Sequence, residues 1–317
     1  MDHMAGRRFL VHFARFLVFL IALSPLAVVA SETAPHPALW KISNGGSTVY
    51  VLGSLHILPP KYNWRAPEIE AAMRATDVFV FEVPIDDEAL QHQKDFIIHN
   101  GILPRGTSLR AVLNRIEFQT YSRILEGTGL KPEIYTRFRP WLAAVLVGLA
   151  YVHGRDIATL TGVDDDLIDY AQSRGKELRY LETIEQQMQL LMFGDDIAQV
   201  KALKRMISSL PNSRTHSAEY VESWTQGDTT RFYGMIDSDF QGHEDARDLL
   251  LSNRNRVWLE PVKTLLAPGS RTAMITVGAA HLGGPKGLLT LLCQEGFEVQ
   301  RVGANGAPDS NICGPRA

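Results

Sequence analysis

Apolar positions fall into short, strand-length runs near the two ends of the chain and into helix-period runs between them. Thr48-Val49-Tyr50-Val51-Leu52 is β-branched and aromatic and stops at Gly53, which reads as a strand. Residues 77–83 (DVFVFEV) form a second such run, closed by Pro84. Residues 177–181 are a short third strand, 272–277 an apolar fourth ended by Gly278, and 297–302 a last one. Helical signals lie between them. Residues 67–75 carry Pro67 at the first turn, and 165–174 stop at Gly175. Residues 87–154 are mostly helical, broken at Gly101, Pro104, Gly127, Pro132 and Pro140. Residues 185–210 read as one long amphipathic helix, 218–266 as largely helical and 285–294 as a final helix. Strands alternating with helices at both ends predict an α/β fold, a central mixed sheet flanked by helices with a large helical insertion. No low-complexity linker divides the chain, so one domain over 31–317 with a flexible C-terminal tail is expected after a leader of 1–30.

Composition narrows the function classes. At 45% hydrophobic over 317 residues the chain has material for a sizeable core. A net charge of −3 gives no basic excess for nucleic acid. Arg7, Arg8 and Arg15 precede an apolar run over 16–30 that contains Pro25. That run suits a signal peptide and falls short of the ~20 residues of a membrane span. Val28-Val29-Ala30 places small residues before Ser31, so cleavage after Ala30 is expected, the alternative being an uncleaved anchor. The product would be exported, periplasmic or secreted, with no stable membrane span once the leader is gone. The apolar run 141–151 reads as a buried helix. Cys293 and Cys313 are the two cysteines, and in an oxidising compartment they would staple the tail as a disulfide.

One pattern occurs twice. Val51-Leu52-Gly53-Ser54-Leu55-His56 and Thr276-Val277-Gly278-Ala279-Ala280-His281 each run from an apolar strand into Gly-x-x-His. A single GxxH is weak, since chance alone supplies roughly one in a chain of this composition. Two at strand C-termini weigh more, because ligands of open α/β sheets bind at that edge. Glu82 ends an otherwise apolar strand, where an ionised carboxylate is expensive unless it is paired or bound to a cation. Two imidazoles and a carboxylate form a common site for a hydrolytic divalent metal. The run Asp164-Asp165-Asp166 reads more simply as helix-N-terminal acid. In it Asp164 is ambiguous, and Asp166 is expected to be solvated. Glu182 ends another short strand.

These residues and their neighbours resemble the TraB/GumN family. Leu39-Trp40-Lys41-Ile42, the first GxxH and Phe81-Glu82-Val83 are similar to its opening. Gly162-Val163-Asp164 with Leu181-Glu182-Thr183 and Gln186 resembles its middle block. Arg254-Asn255 with Trp258, then the second GxxH, Gly287-Leu288-Leu289 and Gly296-Phe297, resembles its close. The family in turn resembles Tiki-type metalloproteases and the erythromycin-esterase/ChaN-like group. The resemblance implies His56, Glu82 and His281 as metal or catalytic positions, with Arg254 and Asn255 in support. It implies a divalent ion, manganese or cobalt favoured, zinc or iron as alternatives.

The expected function is a metal-dependent hydrolase exported to the cell envelope and acting on peptide bonds as a peptidase, with a peptide or small molecule as partner. His56 and His281 would hold the ion with Glu82, while Arg254 or Asn255 would steady an oxyanion. HExxH and GxSxG are both missing from the sequence, which argues against a zincin and against a nucleophile-elbow serine. The alternative is a non-catalytic envelope protein that sequesters a peptide or haem-like ligand. As turn residues, both histidines are expected to be replaceable without harm to the fold.

Overall fold

The computed structural model describes residues 35–58, 62–153, 161–210, 216–303 and 312–313. The expected leader and most of the tail lie outside them. Among the described residues two compact units emerge, one falling within 28–83, 161–181 and 219–317, the other within 84–160 and 182–218.

The first unit holds the sheet. Its strands are β1 (Leu39–Asn44), β2 (Ser47–Ser54), β3 (Val78–Phe81), β4 (Glu177–Tyr180), β5 (Ala273–Gly278) and β6 (Val299–Arg301), in the order β4-β3-β5-β2-β1-β6. β2, β5, β3 and β4 run parallel, while β1 lies antiparallel between β2 and β6. The mixed α/β sheet is the architecture expected. The two adjacent parallel strands β3 and β5 are buried along their whole length, as coverage of both faces of a parallel sheet requires. β1 was not expected as a strand. Its mixed sequence LWKISN hides the alternation, and pairing with β2 through the Gly45-Gly46 turn completes it.

Helix α1 (Pro67–Ala75) links β2 to β3, with Pro67 at its first turn. The second unit carries α2 (Asp87–Asn100), α3 (Arg115–Gly127) and α4 (Pro140–His153). Ala143, Leu146, Val147 and Ala150 of α4 lie in that unit's core, as the apolar run predicted. Helix α5 (Val163–Ser173) precedes β4 in the sheet unit. The expected long helix over 185–210 is two, α6 (Ile184–Leu191) and α7 (Asp196–Ser209). Gly194 sits between them at φ 78, and Asp195 caps α7 by accepting the Ala198 N–H. Local capping thus overrode the continuous amphipathic stripe.

Next come α8 (His216–Thr225) and α9 (Thr229–Asp239). The short α10 (Glu244–Arg247) passes through a π-turn, Asp248–Ser252, into α11 (Asn253–Leu265). Helix α12 (Leu288–Gln294) leads to β6. Cys293 and Cys313 pair as a disulfide, Cα atoms 5.2 Å apart, as expected. Among the described residues no helix is long and apolar enough to cross a membrane.

Candidate functional site

The strand order puts the candidate residues on one edge. β2 and β5 are parallel neighbours with Gly53 opposite Val277 and Ser54 opposite Gly278, so the two GxxH turns leave the sheet side by side. β3 flanks β5 on its other side, with Phe81 opposite Thr276, and Glu82 follows directly. Gly53 permits the close approach of the two turns. A Cβ there would stand 3.0 Å from Ala279 Cα and 3.0 Å from Leu282 Cδ1.

Glu82 is buried at 4% exposure, and the sequence demanded a partner for it. Arg254 supplies one, its Nη2 donating to Glu82 Oε2 at 2.6 Å. The Gly278 N–H donates to the other oxygen at 2.7 Å. Burial alone would raise the Glu82 pKa. The Arg254 guanidinium, assisted by the histidines and the Gly278 N–H, outweighs that and holds it at about 2.

His281 is fully buried. Asn255 donates its amide hydrogens to the carbonyls of His281 and Lys286, at 3.1 and 2.9 Å. Its Oδ1 therefore accepts from His281 Nδ1, at 2.7 Å. That assignment puts the lone pair on Nε2, which accepts from Arg254 Nη1 at 3.0 Å. Burial and the neighbouring guanidinium push the His281 pKa down to about 3, so the ring is neutral at neutral pH. It packs on Trp258, ring centroids 4.4 Å apart, and the Arg254 guanidinium lies 4.6 Å from the same Trp centroid. The expectation that His281 is dispensable for the fold is thereby corrected. It is a core side chain held by two polar partners and an indole.

His56 is buried as well, and its Nδ1 lies 2.7 Å from Asp164 Oδ2. The acidic run divides its labour along the first turn of α5. Asp165 accepts the Gly162 N–H, and Asp166 accepts from Trp64 Nε1 at 2.9 Å while its side chain stays 46% exposed, in keeping with the solvation expected. Asp164 is left to face His56. Glu182, in the other unit, accepts from Gln187 there.

Of the residues expected from sequence, Glu82, Arg254, Asn255 and His281 thus form one continuous network. His281 Nε2 is 3.9 Å from Glu82 Oε1. His56 lies near enough to both to be electrostatically coupled to them. Asp164 and Trp258 complete the site. A signal for the α11 residues was present in the sequence: Arg254, Trp258, Val262 and Leu265 share one helical stripe, and a charge on an apolar stripe needs a buried counter-charge. The π-turn at 248–252 immediately precedes them, a feature that often marks functional helices.

Two imidazoles and a carboxylate are donor types that a divalent ion takes. Both imidazoles are anchored through Nδ1, the pattern by which outer partners orient metal-binding histidines. As placed, the Arg254 guanidinium occupies the cationic position against Glu82 and His281. Among the described residues, no three His, Cys, Asp or Glu side chains are gathered tightly enough to hold an ion.

The model of the TraB/PrgY/gumN family matches residues 38–301. The uncharacterized protein YbaP of Escherichia coli strain K12 is 20% identical over 266 residues, covering 81% of this chain and 92% of YbaP. YbaP of Shigella flexneri shows the same identity and coverage. No solved structure matches the chain.

Proposed function

The chain belongs to the TraB/PrgY/gumN family, and from that premise we propose that it is an exported hydrolase, acting on peptide bonds with a divalent metal at the His56–Glu82–His281 edge. The observation that carries this reading is the matched anchoring of the two GxxH histidines. Each has its Nδ1 held by a side-chain oxygen at 2.7 Å, from Asp164 and from Asn255. Each therefore offers Nε2 as its basic edge. Glu82 is the third donor. When bound, the ion would polarise a carbonyl and lower the pKa of its water.

The residues of the chain have distinct parts in this reading. Asn255 has both amide hydrogens committed to carbonyls, so it orients His281. Arg254 carries a fixed positive charge and is the group suited to steady an oxyanion. The Arg254 Nη1 hydrogen bond uses the same His281 lone pair that an ion would take, so metal binding requires Arg254 to release Nε2. The sequence resemblance to Tiki-type metalloproteases supports a peptide as substrate. The leader-like start and the Cys293–Cys313 pair support export to an oxidising compartment.

The test is metal analysis of the purified mature protein together with cleavage of a quenched-fluorescence peptide library, with and without added Mn²⁺, Co²⁺ or Zn²⁺. Metal-stimulated cleavage that His56→Ala removes supports the reading. A protein that neither takes up metal nor cleaves any peptide overturns it in favour of a binding protein.

A further inference from the structure

We propose that Asp164, on a segment clasped to the first GxxH turn, is the positioning residue that sets the tautomer and orientation of His56. The inference rests on the reading above that His56 works through Nε2.

Residues 161–164 and 55–58 run against each other although they lie far apart in sequence. The Leu58 N–H donates to the Thr161 carbonyl at 3.0 Å, and the Val163 N–H donates to the Leu55 carbonyl at 3.0 Å. Gly162 lies between these two bonds. A Cβ at 162 would stand 2.3 Å from the carbonyl carbon and oxygen of His56, so only glycine allows the clasp to close. These bonds fix the His56 backbone from outside its own loop. The first turn of α5 then brings in Asp164, buried at 5%, beside His56, buried at 7%.

The contact is side chain to side chain, Asp164 Oδ2 to His56 Nδ1 at 2.7 Å. A carboxylate accepts only, so it selects the tautomer with hydrogen on Nδ1 and the lone pair on Nε2. Helix capping does not explain this placement, because Asp165 already satisfies the Gly162 N–H. The same arrangement holds His281 through Asn255, an uncharged acceptor. The two histidines are thus oriented alike by different means, one by a carboxylate and one by an amide.

Histidine tautomers can be read without turnover by two-bond proton–nitrogen correlation on protein labelled with ¹⁵N-histidine. The spectrum is assigned with His56→Gln. The wild-type protein should show His56 with its proton on Nδ1. Asp164→Ala should release that tautomer and leave His281 unchanged as an internal control. Asp164→Asn should retain it, since an amide oxygen serves the same role for His281. In the peptide assay Asp164→Ala should lower kcat by roughly 10–100-fold with little change in KM. Wild-type His56 protonated on Nε2, or a tautomer indifferent to Asp164→Ala, overturns the proposal. The wild-type spectrum decides even if Asp164→Ala fails to fold. Absence of any cleavage would sink the hydrolase reading and leave the tautomer result standing.

Discussion

Arg254 and Glu82, 172 positions apart, form a buried ion pair with Nη2 2.6 Å from Oε2 and each residue at 4% exposure. The pair sits at the centre of the site, and it ties the first turn of α11 to the end of β3. Removing one partner of such a pair strands the other charge away from water. Arg254→Met should destabilise by about 3–5 kcal/mol, read from urea unfolding. Adding Glu82→Leu to that variant should recover a substantial part of the loss. A single-variant cost below about 1 kcal/mol would show that the pair does not hold the site.

Acid should weaken the fold in two overlapping steps. His281 has its pKa lowered from 6.5 to about 3, so below pH 6.5 the unfolded chain binds a proton that the folded chain refuses. Its contribution is present above pH 6.5 and is lost as pH falls toward 3. Glu82 is lowered from 4.5 to about 2, so its contribution is present above 4.5 and lost below that. Each tenfold difference in proton affinity between the folded and unfolded chain is worth about 1.4 kcal/mol. Together the two groups should therefore lower the unfolding free energy by several kcal/mol between pH 7 and pH 3. Denaturant midpoints across that range check this. His281→Gln should flatten the portion between pH 6.5 and 4.5.

Gly162→Ala and Gly53→Ala should both destabilise, the first more. The Gly162 side chain would meet backbone atoms at 2.3 Å and the Gly53 side chain at 3.0 Å. Overpacking of this kind costs about 1–3 kcal/mol, and Gly162→Ala should reach or exceed the upper end. Thermal melts of the two variants order them, and the reverse order would contradict the clasp on His56.

Reducing the Cys293–Cys313 bond, or replacing both residues with alanine, should lower stability by about 3 kcal/mol for a loop of 20 residues. The oxidised protein should bind no thiol reagent until it is reduced. Labelling of both cysteines without reduction would contradict the pairing.

Mass spectrometry of protein recovered from the exporting host should give a mature chain beginning at Ser31. An intact N-terminus would count against the leader and point to an anchor.

Elements that depend on local chemistry can be read from the residues alone. The strand runs ending at Gly53 and Gly278 and the Pro67 helix start follow from β-branching, turn residues and fixed backbone angles. The need for a partner at Glu82 was legible too, because a carboxylate after four apolar residues has no other way to stay ionised. Which partner it takes was not legible. Arg254 reaches it only because β5 lies between β2 and β3 in the sheet, with α11 leading toward β5 along the chain, and no local period encodes that order. The same holds for Asp164. Its sequence context matches any acidic helix start, and only the pairing of residues 161–163 with residues 55–58 singles it out for His56, 108 positions away. The core role of His281 likewise depends on tertiary structure. Backbone propensity acts over a few residues. The choice of a buried polar partner is made by desolvation, which penalises every unpaired group and leaves the fold to bring the right one within reach.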